Sequence, residues 1–173
     1  FANHNQQSYF GLNQYDIKQQ SYYSNLIFNS IIGNTMHKFS TGLNFMYDKY
    51  SEYVNTFDVS RIDNSVGAFF EYTFDNNDKL SYVLGGRMDY HNRLGAFVTP
   101  RFHLKYNAFE NSVFRISAGR GKRAANIFAE NQNLFASSRT ISILGTKGEV
   151  YGLSPEIAWN YGVSFTQKFK LFS

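Results

Sequence analysis

Apolar and polar positions alternate with a period of two along most of this chain, which predicts β-strands whose two faces meet different surroundings. The clearest run begins at Phe39: Phe39, Thr41, Leu43, Phe45 and Tyr47 share one face, while Lys38, Ser40, Gly42, Asn44, Met46 and Asp48 share the other. From Ser65 to Phe74 the residues Val66, Ala68, Phe70, Tyr72 and Phe74 oppose Ser65, Gly67, Phe69, Glu71 and Thr73. Next, Leu80, Tyr82, Leu84, Gly86, Met88 and Tyr90 oppose Ser81, Val83, Gly85, Arg87, Asp89 and His91. After Pro100, Phe102, Leu104 and Tyr106 oppose Arg101, His103, Lys105 and Asn107. Phe114, Ile116 and Ala118 oppose Arg115, Ser117 and Gly119, and Tyr161 to Leu171 opposes Asn160 to Lys168. A weaker run covers Ser21 to Ile32, where Leu26, Ile27 and Phe28 are consecutive. That predicts seven strands, each close to the about 9–11 residues a tilted membrane strand needs.

The predicted connections alternate in length. Three are tight and rich in Gly, Asn and Asp: Gly33 to His37, Asp75 to Lys79 and Asn107 to Asn111. At the opposite end lie Lys49 to Asn64, the short Asn92 to Phe97, and the long Gly121 to Ala158. Short turns at one end and longer loops at the other describe an outer-membrane barrel. No helical stretch stands out, and no apolar run approaches a spanning helix.

Alternation does not say whether the apolar stripe faces lipid or a dry protein core, as in a soluble sandwich or lipocalin-like barrel. Composition favours lipid. Aromatic residues make up 18% of the 173 residues and charged residues only 17%, against about 25% charged in soluble domains. Tyr and Phe gather near strand ends, as at Tyr47, Tyr50, Tyr53, Tyr72, Phe74, Tyr90, Tyr106 and Phe109, in the manner of interfacial girdles. The other face carries Gly, Ser, Asn and charges of both signs, which suits a hydrated lumen with Arg87, Asp89, Arg101, Lys105 and Arg115 on it. The chain opens without a signal peptide and stops within a predicted strand, so both ends read as cut.

Recognisable chemistry is sparse. There is no cysteine, so disulfides and thiolate metal sites are excluded. The four histidines form no metal-binding pair, and Asp75-Asn76-Asn77-Asp78 lacks the glycine and spacing of a calcium loop. Gly119-Arg120-Gly121-Lys122 is not a phosphate-binding loop, and its basic trio Arg120, Lys122 and Arg123 reads as loop or lipid-phosphate contact. Arg87, Asp89 and His91 share a strand face, which reads as a charge ladder rather than a catalytic set. The formal charge of +4 is scattered and argues against nucleic-acid binding. No catalytic residue, metal or cofactor is expected.

Two stretches carry a family resemblance. Thr99-Pro100-Arg101-Phe102-His103-Leu104-Lys105-Tyr106-Asn107 is followed by Phe114-Arg115-Ile116-Ser117-Ala118-Gly119-Arg120-Gly121-Lys122-Arg123-Ala124-Ala125-Asn126-Ile127-Phe128-Ala129-Glu130. Then Leu153-Ser154-Pro155-Glu156-Ile157-Ala158-Trp159-Asn160-Tyr161-Gly162 leads into the last strand. In order and spacing these resemble the late barrel of TonB-dependent receptors. Lys122, Ala125 and Gly162 depart from that pattern, where the family prefers Phe, Pro and an acidic residue.

The resemblance implies an all-β, antiparallel up-and-down transmembrane barrel segment, with residues 1–173 forming a partial barrel that lacks the plug domain. It further implies a place in the Gram-negative outer membrane and uptake of a scarce nutrient such as ferric siderophore, haem or cobalamin. Its expected partners are outer-membrane lipid, the plug, TonB and the extracellular nutrient. The loop Gly121 to Ala158 becomes the candidate for ligand contact, with Arg120, Arg123, Asn126, Glu130 and Asn131 as its polar contributors. Two other classes stay open from the residues alone: a soluble all-β module whose aromatics stack on carbohydrate, and an outer-membrane hydrolase using Asp89 or His91.

Overall fold

A computed structural model describes residues 1–76, 79–109, 111–137 and 153–169. They form one antiparallel sheet of nine strands: β1 (Ala2–Phe10), β2 (Asn13–Ile31), β3 (His37–Val54), β4 (Phe57–Asp58), β5 (Arg61–Asp75), β6 (Leu80–His91), β7 (Gly95–Phe109), β8 (Ser112–Arg123) and β9 (Glu156–Gln167). Each strand pairs with its chain neighbour, except that the two-residue β4 folds back on β3 and leaves β3 to pair with β5. Between β8 and β9 the chain makes a single helical turn, α1 (Ile127–Glu130), and a 3-10 turn, η1 (Gln132–Phe135). The sheet is an up-and-down meander, as expected.

Four boundaries differ from the expected ones. Strand β1 and the Asn13 to Gln20 half of β2 read as featureless in the sequence, yet they pair residue for residue from Ala2↔Ser21 to Phe10↔Asn13. From Asn3 to Ser8 the β1 side chains are polar on both faces, with Asn3, Asn5 and Gln7 on one and His4, Gln6 and Ser8 on the other. A backbone ladder needs no apolar stripe, so strands that leave the apolar band lose the alternation without losing the pairing. The supposed loop Lys49 to Asn64 is mostly strand, because β3 runs to Val54 and β5 begins at Arg61. The loop Gly121 to Ala158 contracts to 124–155, since β8 reaches Arg123 and β9 starts at Glu156. The connection after Asn92 is tighter than expected, with β7 starting at Gly95, whose φ of 67° a side chain would strain. The expected turn at Asn77 and the strand end at Leu171 lie outside the described residues.

Burial decides what the two faces meet. On the apolar face Leu26 is 69% exposed, Met88 61%, Tyr161 75% and Val163 79%. On the polar face Asn44 is 3% exposed and Asp89 4%. This inverts a water-soluble sheet, whose apolar side would be covered. Register keeps the apolar row continuous across strands, as in Leu43↔Ala68↔Met88↔Val98 and Phe39↔Tyr72↔Leu84↔Phe102↔Ala118. A one-residue slip would carry the whole row to the other face, so the pattern also fixes the pairing.

Candidate functional site

Three arrangements of polar side chains come together on the sheet. The first is the wall of the polar face. Here the Arg87 guanidinium donates through Nε and Nη2 to Asp89, with contacts of 2.7–2.9 Å. Arg101 lies 3.4 Å from Glu71 across β6. A depression of about 540 Å³ opens over these residues, lined among others by Glu71, Arg87, Arg101, His103, Ser117 and Asn160. Lys105 stands opposite Arg115 in the register and exposes its charge, while Arg115 comes within 3.5 Å of the Thr166 hydroxyl. All five polar residues expected on this face, Arg87, Asp89, Arg101, Lys105 and Arg115, share it.

The second arrangement sits at the loop end and left no mark in the sequence pattern. Glu52 is fully buried, accepts from the Tyr15 hydroxyl at 2.8 Å and is paired with Arg61. Arg61 also donates to Asp63 at 3.2 Å and lies 4.0 Å over the Tyr50 ring. Arg93 from the β6–β7 turn approaches the same Asp63 at 3.7 Å. Six side chains from four segments thus hold the tops of β2, β3, β5 and β6 together. Their positions on strands of different register made the cluster unreadable in one dimension. In the neighbouring β4 hairpin, hydrogen bonds from Ser60 hold the Asp58 carboxyl below the usual carboxylate range.

The third is the start of the β8–β9 connection, which folds back across the sheet. Phe128 and Phe135 pack with Tyr15, Ile17 and Val54 into the only buried apolar cluster among the described residues, with Phe10 against it. Phe135 stacks on both Tyr15 and Phe10 at 5.8 Å between ring centroids. Asn13 donates from Nδ2 to the carbonyls of Phe135 and Ser137, at 2.9 and 3.0 Å. The segment therefore crosses from β8 to the β1–β2 hairpin.

Four of the five residues expected to contact ligand meet in this connection. Arg123 pairs with Glu130 at 2.9 Å and Glu156 at 2.7 Å. The Asn126 side chain accepts from the Ala129 amide, Glu130 accepts from the Asn126 amide, and Asn131 donates to the Ile127 carbonyl. These contacts brace the turn itself. Arg120 and Arg123 are strand residues rather than loop residues. Arg120 is also separated from the other four: it stands opposite Trp159 on the apolar face and donates to the Val98 carbonyl at 2.8 Å. No cluster of three or more potential His, Cys, Asp or Glu metal ligands occurs among the described residues.

A family model described as TonB dependent receptor-like, beta-barrel matches residues 1–173. The chain belongs to the TonB-dependent receptor β-barrel family. This is a family of outer-membrane receptors and transporters rather than of enzymes. Among solved structures, the siderophore receptor PirA from Acinetobacter baumannii is similar, with a TM-score of 0.57 and 13% sequence identity. The similarity covers 90% of this chain and 25% of PirA, so the chain spans about a quarter of that receptor's length. At this identity the likeness concerns the fold. No curated protein matches the chain significantly.

Proposed function

We propose that this chain forms part of the wall of a TonB-dependent transporter that takes up a scarce nutrient, such as ferric siderophore, haem or cobalamin. The observation that carries this reading is the inverted sheet. Side chains such as Leu26, Met88 and Val163 are exposed on one face, whereas Asn44 and Asp89 are buried on the other. Such a surface is stable against hydrocarbon and costly in water. On this reading the apolar face meets lipid, and Arg87, Asp89, Arg101, Lys105 and Arg115 face the lumen, where a plug domain supplied outside these residues meets them. The end carrying residues 124–155 is external. There Arg123, Asn126, Glu130 and Asn131 shape the first turn of the ligand-facing loop, and TonB acts through the plug from the other side.

The test is made on the intact receptor that contains this wall, expressed in cells deleted for it. Radiolabelled ferric siderophore, haem and cobalamin are offered separately. Energised uptake of one of them is expected to return with the receptor and to vanish when TonB is deleted. Recovery of the protein in the detergent-free soluble fraction, with no uptake of any of the three, overturns the reading. Orientation is checked separately with a membrane-impermeant thiol reagent. A cysteine at Asn131 should be labelled in whole cells and one at Asn34, in the β2–β3 turn, should not.

A further inference from the structure

One row of the polar face, close to the short turns, gathers positive charge without its counterpart. Lys105 on β7 stands directly opposite Arg115 on β8, with Ser81 on the β6 side and Ser164 on the β9 side. His103 is the next residue of β7 on the same face. Like charges directly opposite each other in an antiparallel pair repel and destabilise it. These side chains border a depression of about 370 Å³.

The other arginines on the strands of this face are compensated. Arg61, Arg87, Arg101 and Arg123 each have a carboxylate within 3.4 Å. Arg115 instead lies 3.5 Å from the Thr166 hydroxyl, and among the described residues neither it nor Lys105 forms an ion pair. The polar face holds no acid from Gly95 to Asn107 on β7 or from Ala158 to Thr166 on β9. Glu71 is committed to Arg101, and Asp75, the acid of the same row, lies beyond Ser81 and pairs with neither cation. Two charges of one sign therefore face outward from the wall with no carboxylate of the wall bonded to them.

We propose that Lys105 and Arg115 bind a small oxyanion with two or more negative charges, of the polycarboxylate or phosphate class, in this depression. The site rests on the reading above that the polar face lines the lumen. It lies at the short-turn end, opposite the loop of residues 124–155, so it serves an anion inside the barrel rather than one captured outside. The row is suited to oxygen ligands. The guanidinium fork reaches two oxygens at once, the ammonium adds a compact charge, and the hydroxyls of Ser81 and Ser164 donate beside them. One carboxylate would neutralise a single cation; a dianion neutralises both and turns their repulsion into a shared attraction.

The experiment uses the intact receptor that contains this wall, in mild detergent at constant ionic strength. It is titrated calorimetrically with citrate and, separately, with inorganic phosphate. Wild type should bind at least one of them at one site per receptor, and the one bound more tightly fixes the class of anion. Acetate, with a single charge, should bind more weakly than either. Arg115→Gln and Lys105→Gln should each weaken binding about tenfold, as expected for loss of a charged hydrogen bond. Lys38→Gln removes another cation of the polar face, on β3, and should leave binding unchanged. Without added anion, Lys105→Gln should unfold at a higher temperature than wild type, because the repulsion with Arg115 is gone.

Unchanged affinity in both variants overturns the proposal, and so does an equal loss in Lys38→Gln, which would mark general charge screening. A Lys105→Gln receptor less stable than wild type in the absence of anion overturns it too. If wild type binds neither anion and both variants release the plug at lower urea concentration, a plug carboxylate occupies the row and the proposal fails. A receptor that enters the membrane normally yet binds no anion refutes this inference alone; one that never enters the membrane refutes the transporter reading.

Discussion

The band of the sheet that carries the apolar stripe and the rim above it are built from the same strands under opposite rules. In the band, from Tyr22 to Ser30 on β2 and from Val66 to Phe74 on β5, large apolar side chains such as Leu26, Phe28, Val66 and Phe70 are exposed, the others are at most half-buried, and no buried apolar cluster is found. At the rim, Tyr15, Ile17, Val54, Phe128 and Phe135 are buried together, and a charged network of Glu52, Arg61 and Asp63 is enclosed beside them. The difference is one of solvent. Hydrocarbon removes the incentive to hide Leu and Phe but demands a closed backbone ladder, whereas water rewards a packed core and permits loops. One strand, β2, passes from one regime to the other within 19 residues.

This contrast yields four expectations, taken from the largest effect to the smallest. Glu52→Ala leaves Arg61 buried without its closest partner and should destabilise the rim by about 3–5 kcal/mol. Hydrogen exchange should quicken at the tops of β2, β3 and β5 and stay slow in the band; uniform quickening would show that the two regions unfold together. Leu84→Arg places a charge on the apolar face and should cost about 2–4 kcal/mol in refolding into lipid vesicles. Gly85→Arg points the same side chain to the polar face, near Glu71, and avoids that cost. Equal defects at 84 and 85 would erase the distinction between the faces.

Smaller effects are expected where water already reaches. Asn13→Ala removes the hydrogen bonds to the Phe135 and Ser137 carbonyls and should release the crossing segment at a cost of about 1–3 kcal/mol. Faster proteolysis within residues 124–137, with the barrel otherwise intact, would register it. Arg123→Ala breaks two exposed ion pairs and should change refolding stability by no more than about 1 kcal/mol. A loss as large as that at Glu52 would mean the turn, not the buried network, anchors the rim.

How much could be read from the sequence followed the same boundary. Where one face meets lipid, residues such as Val66, Phe70 and Phe74 repeat with the pleat, and the strands and the residues sharing a face were legible. The polar wall residues Arg87, Asp89, Arg101, Lys105 and Arg115 share one face of the sheet for that reason. Strand β1 was missed because Asn3, Asn5 and Gln7 are as hydrophilic as the residues facing the other way. Among the candidate ligand contacts, Arg123, Asn126, Glu130 and Asn131 did gather, but into bonds with their own turn. Arg120 did not join them, because β8 continues past it and alternation turns it to the apolar face.

The sequence by itself determined the band: a period-two code written by two unlike solvents needs no distant contact to be decoded. Only the tertiary structure decided the rim. It brings Tyr15, Glu52, Arg61 and Arg93 to one point and carries Phe128 and Phe135 from the end of β8 onto β2. The reason is that a single face–solvent rule acts on each residue locally. Partnerships between charges and rings depend on how far each strand is staggered against the next.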